Sequence, residues 1–181
     1  MKKIIRIHRS LRRSLAALVL AGTFVIQSIA PTRLAAQTAL NASEIEKETD
    51  KRQMRQIYDA IQAYQKKHGD LPKWLSDLVP DFVANREIFI SPVERRTGES
   101  RVFGYSDPKL KASYIYEFSA NTAGGTINQN RETPLTMKEW KTMQMAECGP
   151  ATPMLRCHLH DPVLNLSFSG EYYETGLFWE S

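Results

Sequence analysis

What most limits the folds open to this chain is its first 36 residues, which read as a segment for a translocation machinery and not as part of a core. Met1–Arg13 carries Lys2, Lys3, Arg6, Arg9, Arg12 and Arg13 with no acidic residue, and an apolar run from Leu15 through Ala30 follows, closed by Pro31. Such a cationic start stays on the cytoplasmic side while the apolar run enters the bilayer. The small residues Ala35 and Ala36 offer a peptidase site, with cleavage after Ala36 as the preferred reading and after Ala39 as the second. The competing reading is a retained signal anchor, because Ser14 to Thr32 approaches the length that crosses a bilayer at about 1.5 Å of rise per residue. The expected location is periplasmic or extracellular, or anchored in the inner membrane through this segment alone.

Seven of the 24 basic residues and none of the 20 acidic ones fall in residues 1–36, so 17 basic residues face 20 acidic ones afterwards, a net charge of −3. The alkaline balance therefore belongs to the leader and gives no support for nucleic-acid binding. Lys66-Lys67 and Arg95-Arg96 lie in no extended basic stripe and read as solvated surface. The remaining length suits one domain with its own core, which divides the chain into a signal segment 1–36, a short linker 37–42 and a single domain 43–181.

Ser43 and Glu46 have capping-box spacing, so a long helix is expected from about Glu44. Met54, Ile57, Ile61 and Tyr64 put one apolar stripe on it, and Gly69 ends it. After the turn Asp70-Leu71-Pro72, Trp74, Leu75, Leu78 and Val79 form a short apolar helical face before Pro80. Ile88-Phe89-Ile90 reads as a short buried strand closed by Ser91-Pro92, Val93–Ser100 as a surface loop, and Ser113–Phe118 as a strand. The segment 121–130 reads as a flexible loop. Thr136 and Glu139 repeat the capping-box spacing and predict a helix to about Ala146 with Met137, Trp140 and one of Met143 and Gln144 inward. Leu164, Leu166 and Phe168 alternate with Asn165 and Ser167, and Ser169-Gly170 turns the chain into Glu171–Glu174 as a hairpin. One long amphipathic helix ahead of a small antiparallel sheet makes an α+β domain.

The runs Ile57-Tyr58-Asp59-Ala60-Ile61-Gln62-Ala63-Tyr64, His68-Gly69-Asp70-Leu71-Pro72 and Leu75-Ser76-Asp77-Leu78-Val79-Pro80, followed by Tyr114-Ile115-Tyr116, give this part of the chain a recognisable order. It resembles the globular domain of type IV pilins, above all the major pseudopilin of type II secretion and its exported relatives. The resemblance covers about Gln53 to Phe118 and implies a pilin-like fold with a structural or protein-interaction role at the cell envelope. The family's glutamate early in a continuous hydrophobic helix has no counterpart here, and Pro31 interrupts the run, so filament assembly is not implied. Nor is a calcium site, since Asp161 stands almost alone where the family has an acidic loop. The segment from Met154 to Gly170, with Trp179-Glu180, is similar to the tail of uncharacterised exported proteins, which names no activity.

Two cysteines, Cys148 and Cys157, lie beyond the leader with eight residues between them, and a disulfide is the preferred reading in an oxidising compartment. The alternative gathers Cys148, Cys157, His158 and His160 around zinc or copper, in a small metal-binding or hydrolytic protein. If 157–160 runs extended, residues 158 and 160 share a side and Cys157 takes the other, which opposes convergence. A cysteine nucleophile with a histidine base lacks an identifiable residue to orient the base. Asp70, Asp77 and Asp81 read as solvated positions, and Tyr172, Tyr173, Phe178 and Trp179 as hairpin packing rather than a ligand platform. The expectation is therefore a non-catalytic exported module with no cofactor, protein partners at the envelope, no nucleic-acid partner, and membrane contact only through an uncleaved N-terminal segment.

Overall fold

A computed structural model describes residues 30–129 and 131–176. The leader residues 1–29, with the cationic stretch and nearly all of the apolar run, and the terminal Phe178 and Trp179 lie outside the described residues. Among the described residues, no helix is long and apolar enough to cross a membrane.

The chain is α+β, with helix α1 (Ala30–His68), a four-residue 3-10 turn at Leu75–Leu78, another at Arg86–Phe89, and helix α2 (Pro92–Thr97). Strand β1 (Ile115–Tyr116), helix α3 (Met137–Cys148) and strands β2 (Pro153–Cys157), β3 (Val163–Ser167) and β4 (Tyr172–Thr175) follow. The four strands form one antiparallel sheet in the order β1-β2-β3-β4. Contacts divide the chain into two units, which part between Ile45 and Glu46. In the described part of the first, α1 exposes Leu40 and Ile45, and Gln37 Nε2 donates to Asn41 Oδ1 at 3.2 Å one turn on.

The helix begins well before Glu44, and residues 37–42 are helical. Leu34, Ala35, Ala36, Ala39 and Leu40 are strong helix formers that carry the helix across this region. Within a running helix the N–H groups are already bonded, so a capping box at Ser43 has nothing to cap. Glu46 instead pairs with Arg96 of α2, its carboxylate oxygens taking Nε at 2.6 Å and Nη2 at 2.9 Å.

In the second unit, the stripe of α1 is buried as expected: Met54, Ile57 and Ile61 are fully enclosed and Ala60 nearly so. They share a core with Leu75, Leu78, Phe89, Tyr114, Phe118, Met154, Leu155, Leu164 and Leu166. Burial of this kind is the main favourable term in folding. The hairpin is tied to the same helix by polar contacts: Tyr58 Oη donates to the Phe168 carbonyl at 3.0 Å, Arg55 Nη2 to Gly170 O, and Tyr172 Oη to Lys51 O. Arg55 also lies over the rings of Tyr58 and Tyr172. Gly69 ends α1 in the left-handed conformation, with φ of 76° and its N–H on the Gln65 carbonyl at 2.8 Å.

Two expected elements are replaced. Residues 88–90 are not a strand and 93–100 are not simply loop, because Ser91 accepts from Val93 N at 3.1 Å and Pro92 opens α2 at a position where its missing N–H costs nothing. The strand expected over Ser113–Phe118 is reduced to Ile115–Tyr116, with the whole segment buried on both sides. In 121–130, Gly125–Asn128 forms a 3-10 turn and Thr122 bridges Thr136. The second capping box forms as expected: Thr136 Oγ1 accepts from Glu139 N at 3.3 Å and Glu139 Oε2 accepts from Thr136 N at 2.8 Å. Met137 turns inward, Trp140 and Gln144 are half-buried and Met143 is exposed, while Lys141 is fully buried.

The cysteines are not bridged. Both are free thiols, Cys148 exposed at the end of α3 and Cys157 buried at the end of β2. Cys157 belongs to the inward row of its strand, so its thiol faces the core cluster while Cys148 faces solvent.

Candidate metal centre

Asp50 lies on α1 four residues before Met54 and seven before Ile57, so helical periodicity puts a carboxylate at the head of the apolar stripe. It is fully buried. A buried carboxylate must be met by donors, and three elements supply them. Ser91 Oγ, from the cap of α2, donates to Oδ2 at 2.8 Å, and Tyr114 Oη, just before β1, donates to Oδ1 at 2.6 Å. His160 Nε2 stands 2.7 Å from Oδ2. Tyr114 Oη is also 2.7 Å from Gln53 Oε1, so one phenolic proton faces two acceptors.

The alternation that an extended 157–160 would give does not occur. β2 ends at Cys157 and residues 158–160 turn, which returns His160 to the side of Cys157 and sends His158 elsewhere. The ligand atoms of Asp50, Cys157 and His160 all lie within 4.8 Å of one another. Among the described residues this is the group of three whose atoms could share an ion; Cys148 and His158 are not in it. The four-residue cluster that stood as the alternative to a disulfide is thus split, and an aspartate joins two of its members from more than a hundred residues away.

Burial pushes the Cys157 thiol well above its ordinary range, the nearby Asp50 charge pushes the same way, the Leu159 N–H opposes, and Glu94 adds to the rise. A nucleophilic cysteine needs the opposite setting, a thiolate stabilised by positive surroundings and open to substrate. So although Asp50 supplies the residue that orients the histidine, the cysteine is a protonated core group in this arrangement. Burial raises the Tyr114 phenol strongly as well, with Asp50 as the next cause.

A second buried carboxylate, Glu94 of α2, adjoins this network. Its Oε2 accepts from Ser113 Oγ at 2.6 Å, that Oγ accepts from Ser91 N at 2.8 Å, and Lys111 Nζ reaches Oε1 from the surface at 2.8 Å. Away from it, Glu117 receives Lys141 Nζ of α3 at 3.1 Å and Arg156 Nη1 of β2 at 3.4 Å, while Arg156 Nε donates to Asn165 Oδ1 of β3 at 3.0 Å. His158 packs edge-on against Phe103, ring centroids 5.1 Å apart, and both ring nitrogens are buried without a hydrogen-bond partner. Burial holds its pKa down to about 4, with Arg156 and Arg101 as the further causes.

The remaining sequence candidates have structural duties. Asp70 holds Lys138 Nζ at 2.6 Å and the Leu71 N–H at 2.8 Å, and Asp77 Oδ2 caps the 3-10 turn through Lys73 N and Trp74 N, both at 3.0 Å. Asp81 faces Lys67 at 3.8 Å. Arg95 donates to the Ile90 carbonyl at 2.9 Å.

Sequence reasoning missed Asp50, Glu94, Glu117, Lys141 and Arg156. A signal existed for most of them, namely a charged residue where apolar periodicity calls for a core position: Asp50 ahead of Met54, Lys141 four after Met137, Glu117 between Tyr116 and Phe118. Searches against family models, curated proteins and solved structures find no match for this chain.

Proposed function

We propose that this chain is a non-catalytic exported module with a pilin-like α+β domain, acting through protein contacts at the cell envelope. The observation that carries the reading is the opening order of elements: one long helix, the Gly69–Pro72 turn and a short helical turn at Leu75–Leu78, ahead of an antiparallel sheet that α2 precedes and α3 interrupts between β1 and β2. That opening agrees with the resemblance of the residues from Gln53 to Phe118 to the pseudopilin globular domain. Support also comes from the cationic and apolar leader and from the burial of Cys157 in the core cluster, which suits a core position better than a reaction centre. The exposed Leu40 and Ile45 on the leading part of α1 offer apolar side chains to a partner.

The test is the N-terminal residue of the protein recovered from fractionated cells that make it with its own leader. A start at Gln37 in the soluble envelope fraction, or an intact Met1 in the membrane fraction, agrees with export. An intact Met1 in the cytosol ends the proposal.

A further inference from the structure

We propose that Asp50, Cys157 and His160 form a binding site for a divalent ion of the zinc class, which clamps α1 to the end of β2. The inference goes beyond the envelope-module reading and does not depend on it. Its first support is convergence. The three donors come from a helix, the last residue of a strand and the turn after it, and their ligand atoms fall within 4.8 Å of one another. Tetrahedral zinc with bonds of about 2.0–2.3 Å sets its ligands roughly 3.5 Å apart, so small shifts of side chains close the cluster around an ion.

The second support is the balance of donors and acceptors. Asp50 is a fully buried carboxylate, and the Tyr114 phenol that donates to it has Gln53 Oε1 as a competing acceptor. The adjoining Glu94 carboxylate, reached through Ser91 and the Ser113 hydroxyl, adds more negative charge beside the site. A divalent cation bound here is balanced by one carboxylate and one thiolate, leaving the site neutral. The third support is chemical type. One sulfur, one imidazole nitrogen and one carboxylate oxygen suit zinc and other borderline transition metals, whereas calcium and magnesium call for oxygen shells.

Binding breaks the Cys157 S–H bond and forms a metal–sulfur bond, and the proton passes to solvent. His160 coordinates through Nε2, its proton shifting to Nδ1, and Asp50 Oδ2 exchanges its hydrogen bond from His160 for the metal. Oδ1 keeps the Tyr114 hydroxyl, which orients the carboxylate from outside the metal shell. Water or Gln53 Oε1 completes the tetrahedron. The enclosure of Cys157 makes this a site filled as the chain folds.

The experiment uses the full chain carrying Cys148→Ser, a change at an exposed residue that leaves Cys157 as the sole sulfur ligand of cysteine type. The protein is refolded under a phosphine reductant with cobalt(II) or zinc, cleared of excess metal, and measured by metal analysis and X-ray absorption. The expected result is one ion per chain, with a single sulfur and imidazole in a four-coordinate shell. Cobalt should also give a thiolate charge-transfer band that is lost in Cys157→Ser and in His160→Ala but kept in His158→Ala. Metal should raise the melting temperature of the Cys148→Ser protein. Failure to take up metal, a shell without sulfur, or a band abolished by His158→Ala would overturn the proposal. The sulfur count in Cys148→Ser decides the matter even where a ligand variant does not fold.

Discussion

At the scale of single residues, the two thiols have opposite prospects. Cys148 is exposed and Cys157 is enclosed with its thiol pushed far up by burial and by Asp50. A thiolate reagent should therefore modify Cys148 within minutes at neutral pH and reach Cys157 only as fast as the domain opens. Pulsed labelling read by mass spectrometry, with and without urea, checks this; two labels in the native protein would contradict the assigned core position. His158 makes a pH prediction with a definite sign. Its folded pKa of about 4 lies below the ordinary 6.5, so between these values the unfolded chain binds the proton more readily. Its contribution is thus intact above pH 6.5 and is lost as pH falls toward 4, by up to about 3 kcal/mol. The groups responsible are the burying contacts, including Phe103, and the nearby Arg156 and Arg101. Denaturant unfolding at several pH values should show a shallower acid loss in His158→Leu than in the parent. Of the candidate centre, Cys157 and His160 were legible as residue types, but their convergence was not. A two-residue alternation holds only while the strand lasts, and this strand stops at Cys157. Asp50 was legible in principle, as a carboxylate in phase with an apolar stripe.

At the scale of elements, the apolar period of α1, its glycine stop, the capped α3 and the β3–β4 hairpin could all be read from sequence, because each is fixed by neighbours within one or two turns of chain. The start of α1 could not. A capping box is a local signal that counts only where the helix has free N–H groups, and the Ala- and Leu-rich lead-in removes that condition at Ser43. The same four-residue pattern therefore has unequal worth in its two appearances. Thr136→Ala should lower stability by about 1 kcal/mol, since it strips a formed cap. Ser43→Ala, at an exposed site inside a helix, should change stability by less than about 0.5 kcal/mol. Urea titration of both variants measures the contrast, and equal losses would mean that a cap operates at Ser43 after all. Ser91-Pro92 was misread for a related reason: the pair stops a strand and starts a helix equally well, and the buried Asp50 that holds the Ser91 hydroxyl is distant in sequence.

At the scale of the molecule, unit 46–181 joins its helices to its sheet partly through buried charge. Glu117 beside β1, Arg156 of β2, Asn165 of β3 and Lys141 of α3 meet in one network, with Lys141 entirely enclosed and Glu117 nearly so. Desolvating such groups costs several kcal/mol each, and the pairing does little more than recover that cost, so the network is weak evidence of added stability. Its consequence lies in what a single deletion does. Glu117→Ala takes the carboxylate from two buried cations and should destabilise the domain by about 3–5 kcal/mol, a large share of the roughly 5–15 kcal/mol that holds a domain of this kind together. Lys141→Met in the same protein should restore part of that loss, because Met fills a similar volume without charge. A double-mutant cycle of Glu117→Ala and Lys141→Met, followed by urea unfolding, isolates the coupling. A favourable coupling well above 1 kcal/mol ties α3 to the sheet through this pair. If instead the two changes add independently and Glu117→Ala costs less than about 1 kcal/mol, the apolar core alone holds α3 in place, and the buried charges serve only to select one packing of helix on sheet.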